Sequence, residues 1–183
     1  MRAPILPQLN ISFTKSFLAR IFFGVFVGQE FPEAELVRKT FTLRQMDLPP
    51  QVLDTKRSLV RWFALSFGLL SEKESRSTIL DVLDALFSLQ LAKKSSPTTA
   101  QLLQHLKGSG KKIDEKLLRY HLKRLIDVGL LERRKGRLSF VVDPHAEKGD
   151  IVAGFKHNIG APVQESLQRI SLALGKIKEK YAK

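Results

Sequence analysis

Between Lys111 and Arg137 the chain gathers Lys111, Lys112, Lys116, Arg119, Lys123, Arg124, Arg133, Arg134, Lys135 and Arg137, with Tyr120 among them. Ammonium and guanidinium groups at this density bind phosphate, and an Arg can also hold guanine through two hydrogen bonds. The whole chain has 31 Lys and Arg against 18 Asp and Glu, a net charge of +13. That charge is unevenly spread. Residues 93–148 carry 14 basic and 6 acidic side chains, for +8, whereas 1–50 carry +2, 51–92 carry zero and 149–183 carry +3. The charge points to a polyanionic partner that meets the chain between 93 and 148.

Other chemistries find less support. Gly108-Ser109-Gly110-Lys111-Lys112 is similar to a phosphate-binding loop, but the Gly required ahead of the Gly-Lys pair is His105, and Lys112 stands where Ser or Thr would hold magnesium. His105, His121, His145 and His157 have no mutual helical spacing, and without cysteine there is no thiolate site and no disulfide. No nucleophile elbow or acid–base pair stands out. The expectation is a protein without metal or cofactor that is not an enzyme, in a reducing cytoplasm.

The elements that must position these cations lie between Ile113 and Val142. Ile113, Leu117, Leu118, Leu122, Leu125 and Ile126 form one apolar helical stripe, with Asp114 placed to cap it and Gly129 to end it. Leu130–Arg133 and Leu138–Val142 then flank Lys135-Gly136, which predicts a hairpin with Gly at a positive φ. The segments His121-Leu122-Lys123-Arg124-Leu125, Gly129 to Arg134 and Gly136-Arg137 resemble the signature of bacterial and archaeal winged-helix transcription regulators. The resemblance covers about 30 residues tightly and roughly 70 with the preceding helices.

It implies a mostly α fold with a small β-hairpin wing (α+β), and it places Lys116, Arg119, Tyr120, Lys123 and Arg124 on the solvent face of a recognition helix. Arg119 and Tyr120 fall where similar regulators contact base edges. Lys111 and Lys112 suit phosphates at the helix entrance, Arg133, Arg134, Lys135 and Arg137 make a basic wing, and His121 packs at the base of the helix. Asp114 and Glu115 repel phosphate at the end that normally enters the major groove, so either the helix docks further along or the target is not B-DNA.

Upstream, Phe13 to Phe26 has helical spacing and is apolar nearly all round, while its Phe and Val content leaves a strand pair as the alternative. Phe17–Val27 is too short to span a bilayer and lacks the pattern of a secretion signal, so no membrane is expected. A short helix is expected at Glu33–Lys39, a short strand at Phe41-Thr42-Leu43, and a long helix from Gln51 to Leu70 that belongs in a core or subunit interface. Ser71–Ser75 is read as a joint. Helices then start at Ser77, which can cap the first, and after Pro97. Asp143-Pro144 stops the hairpin, and Gly149, Gly154 and Gly160 punctuate a mixed segment.

Val163, Leu167, Ile170, Leu174, Ile177 and Tyr181 step by 4, 3, 4, 3 and 4, a heptad seam suited to a homodimer contact or to packing on its own domain. The expected organisation is an apolar N-terminal region, core or dimerisation (1–71), a winged helix-turn-helix (72–144), and a linker with an amphipathic helix (145–183). The leading expectation is a homodimeric DNA-binding transcription regulator. An RNA- or ribosomal-subunit-binding factor acting by occlusion or bridging uses the same cations, and the apolar N-terminal region favours an interaction module of a larger transcription or replication assembly.

Overall fold

A computed structural model describes residues 33–74, 77–147 and 149–182; the apolar stretch Phe17–Val27 lies outside them. The chain divides into two compact units, Met1–Lys39 and Thr40–Lys183. In the first, Glu33–Leu36 makes one 3-10 turn rather than the expected helix to Lys39. The second is mostly helical with one small hairpin: α1 (Pro50–Leu53), α2 (Lys56–Ser66), α3 (Thr78–Phe87), α4 (Thr99–Gly108), α5 (Glu115–Asp127), β1 (Leu131–Arg134), β2 (Arg137–Phe140), α6 (Ile151–Phe155) and α7 (Ala161–Tyr181).

The expected helix from Gln51 to Leu70 is two helices. Thr55 takes an extended conformation (φ −130°, ψ 143°) and its side chain accepts from Ser58 N, so it caps α2 rather than continuing α1. Gly68 at φ 62° follows α2. Phe41-Thr42-Leu43 is not a strand, and Arg44 N just after it bonds to the Ser66 carbonyl at 2.8 Å. Ser77 stands at the N-cap of α3 without a side-chain cap bond. Thr98 caps α4 in a reciprocal box with Gln101.

One core joins these helices. Ala64, Phe67, Leu69 and Leu70 meet Ile79, Val82, Leu83 and Leu86 of α3, Leu102 and Leu106 of α4, and Leu118, Leu122 and Leu125 of α5. The expected boundary at 71/72 therefore runs through a shared core. A chain of aromatic contacts crosses it, from Phe155 to Phe67, Phe63, Phe87 and Phe140, with neighbouring ring centroids between 4.9 and 6.1 Å apart.

The hairpin pairs Leu131 with Phe140 and Arg134 with Arg137, leaving Lys135 (φ 49°) and Gly136 (φ 77°) as a two-residue turn. Positive φ at both central residues is the turn whose twist matches paired strands, and it needs glycine at one of them here. Thr98 forms a single bridge to Arg137, and Leu138 N bonds to the Pro97 carbonyl at 2.8 Å, so the segment before α4 lies along the outer edge of β2.

After the hairpin the backbone is helical without a loop from Ile151 to Tyr181, passing through a π turn at Lys156–Gly160. The expected mixed segment is thus helical in its second half. Gly154 is there for contact, since a Cβ on it would lie 1.9 Å from the Val141 carbonyl oxygen. Asp150 holds the start of α6 by accepting from Val152 N and Ala153 N. No helix among the described residues is long and apolar enough to cross a membrane.

Candidate nucleic-acid interface

The two faces of α5 are sharply different. Leu118, His121, Leu122 and Leu125 are buried, while Lys116, Arg119, Tyr120 and Lys123 are exposed on the opposite side. The inward stripe fixes the rotation of the helix, and the 3.6-residue period then forces these four outward. Asp114 starts α5 by accepting from Leu117 N at 2.7 Å. Glu115 accepts from Arg119 Nε at 2.8 Å, so the helix start holds a carboxylate bonded to the guanidinium expected to read bases. Both groups are more than half exposed, and such a pair is worth only about 0.3–0.5 kcal/mol. A phosphate or a guanine edge can displace Glu115.

Arg124 departs from the expected solvent face. It is half-buried, donates from Nη2 to the Gly68 carbonyl at 3.0 Å, and lies 5.7 Å from the Tyr120 ring centroid. Its bond reaches the end of α2, a contact that helical spacing does not reveal. Lys111 is exposed but ion-paired with Asp81 at 2.7 Å, which ties the turn before α5 to α3; Lys112 is exposed beside it.

In the hairpin, Arg134 and Arg137 oppose each other, an arrangement that costs stability unless each finds an acceptor. Arg134 turns to Glu132 at 2.9 Å and Arg137 to the Ser96 carbonyl at 3.1 Å. Arg133 makes only a long contact to Thr99 at 3.4 Å, and Lys135 sits exposed at the tip. Of the four expected cations, Arg133 and Lys135 are thus the least committed. Among the described residues no three His, Asp or Glu side chains gather as a metal site would require.

His121 is 5% exposed, and its Nε2 shares a 2.6 Å hydrogen bond with Thr78 Oγ1. Nδ1 is buried without a partner. Burial, with help from Arg124 and against Glu74, lowers its pKa from the ordinary 6.5. The folded chain therefore binds this proton less readily than the unfolded chain. Stability from neutral His121 should be complete above pH 6.5 and fall as the pH drops toward the lowered value. Urea midpoints measured from pH 8 to 5 should show this fall in the natural chain and less of it in His121→Gln. Parallel curves would mean that His121 is not responsible.

Comparison with family models, with curated proteins and with solved structures found no match to this chain.

Proposed function

We propose that this chain is a cytoplasmic, homodimeric winged-helix protein that binds nucleic acid, with duplex DNA as its target in the manner of a transcription regulator. One observation carries the reading: α5 buries one face and turns Lys116, Arg119, Tyr120 and Lys123 outward, immediately ahead of a hairpin tipped by Lys135. The order α3–α4–α5–β1–β2, with the segment before α4 bridged to β2, supports the winged-helix assignment. The seam of α7 supports the second copy, since Leu167, Ile170, Leu174 and Ile177 are each more than half exposed.

A second reading, a structured RNA or a ribosomal subunit as target, is favoured by Asp114 and Glu115 at the leading end of α5. Phosphates flanking a major groove would meet these carboxylates first, whereas a partner gripped by shape engages the helix side. Arg119→Ala separates the two. On a preferred DNA duplex it should cost roughly 1–3 kcal/mol, and far less on random DNA, read by competition binding. Equal losses on both would make Arg119 a phosphate contact, and natural protein without any DNA preference that carries ribosomal RNA through purification would overturn the DNA reading.

A further inference from the structure

Glu115 is an acid on the outward face of α5, among Lys116, Arg119, Tyr120 and Lys123. It is not needed to start the helix. Asp114 caps α5 by accepting from Leu117 N at 2.7 Å, and the Asp114 carbonyl accepts from Leu118 N at 3.1 Å. A first-turn carboxylate suits the helix dipole, but Asp114 already places one at that end. The hydrogen bonds of Glu115 run instead to Arg119, from Nε at 2.8 Å and from Nη2, and both end on Oε1.

The pair need not break for Arg119 to be used. A guanidinium carries five N–H groups in a planar fork. Glu115 takes the Nε side, which leaves the outer N–H groups of Nη1 and Nη2 to donate side by side. Those two fit the O6 and N7 acceptors of guanine. The Arg119 side chain is 63% exposed and that of Glu115 54%, so the fold shuts in neither.

The second carboxylate oxygen, Oε2, can accept at the same time. In the major groove only the amino groups of cytosine and adenine donate, whereas guanine and thymine present acceptors that repel a carboxylate. Adenine sets its N7 acceptor beside N6, and cytosine has no acceptor beside N4 on its own edge, so cytosine is the better fit. Glu115 projects one turn ahead of Arg119, about 6 Å along α5, which carries the carboxylate off the guanine's own pair. The 2.8 Å bond keeps the two groups within roughly one 3.4 Å base step.

We propose that Glu115 and Arg119 act as one reading unit in the major groove, with Arg119 on a guanine and Glu115 on the amino group of a cytosine in the adjoining pair. The inference rests on the duplex-DNA reading above, and it gives the acid at the leading end of α5 a task. Lys116 and Lys123 beside the pair attract phosphate at any sequence. Glu115 repels phosphate, so its charge weakens binding wherever no cytosine meets it. Preference is raised from both sides.

A pool of random-sequence duplexes, taken through rounds of binding to the natural chain, supplies the preferred duplex for competition titrations with single base-pair changes. That duplex is expected to hold a guanine next to a pair whose cytosine matters. Glu115→Ala, at the natural thermal midpoint, should keep the guanine preference and cut the penalty for replacing the cytosine roughly fivefold or more, the lower end of what one mismatch costs. Glu115→Gln, which keeps the shape without the charge, should move that position toward adenine, which an amide meets with two hydrogen bonds. Identical preferences in the natural and Glu115→Ala chains, with affinity raised evenly, would overturn the inference and leave the DNA reading standing. Guanine and cytosine preferences lost together would make Glu115 a support for Arg119 and overturn the cytosine contact. No enrichment by the natural chain would overturn the inference together with the DNA reading.

Discussion

A chain carrying Arg133→Ala and Lys135→Ala should lose close to two units from the slope of log affinity against log salt concentration, and should lose affinity for every duplex alike. These two cations have the weakest internal commitments of the hairpin, one a 3.4 Å contact and the other an exposed tip. Each phosphate they neutralise releases roughly 0.9 of a counterion on B-DNA, which sets the slope. Arg134 and Arg137 should contribute less, because Glu132 and the Ser96 carbonyl already hold them. Titrations of the natural and double-substituted chains at several salt concentrations, on specific and random duplexes, measure this directly. An unchanged slope would remove the hairpin from the interface. Loss confined to one sequence would make it a reader of bases.

Gly154→Ala should be the most damaging single methyl group that can be added to α6. Its Cβ would stand 1.9 Å from the Val141 carbonyl oxygen and 2.9 Å from Val142 Cα, atoms of the backbone leaving the hairpin. Backbone cannot rotate aside as a side-chain tip can, so α6 must lift away from it. The loss should lie at or above the upper end of the roughly 1–3 kcal/mol typical of overpacking. Gly175→Ala in α7 is the matched control: nothing lies within 4 Å of its Cβ, and the change should stabilise the helix by up to about 1 kcal/mol. Urea midpoints for the two variants should move in opposite directions. A Gly154→Ala chain of natural stability would mean that α6 is not seated against Val141.

The contrast between these two glycines shows where sequence reasoning works here and where it stops. Between Ile113 and Val142 the determinants are local: the apolar period sets the rotation of α5, Asp114 caps it, and Lys135-Gly136 makes the turn. Those features were legible because each acts over a few residues. Gly154 and Gly160 read as punctuation by the same local logic, yet both lie in helical backbone, and Gly154 answers to a strand exit more than ten positions upstream. Phe41-Thr42-Leu43 has strand composition, yet its backbone is not in a strand. The inward commitment of Arg124 depends on Gly68, 56 positions away, and no periodicity encodes it. For the apolar pocket lined by Leu59, Phe63, Phe87 and Phe155 there was a partial signal, the apolar breadth of the Gln51–Leu70 stretch, but which other walls complete it is a tertiary fact.

The bond from Arg124 to Gly68 has a mechanical consequence. Gly68 lies two residues past the end of α2, while the same guanidinium lies 5.7 Å from the ring centroid of outward-facing Tyr120. A tilt of α2 that carried Gly68 with it would act on this 3.0 Å bond and on the guanidinium that makes it. Through Arg124 the segment after α2 and the ring of Tyr120 share one line of contact. A ligand on Tyr120 and any contact that moved α2 would influence each other to that extent, and by linkage the effect on binding would be equal in both directions.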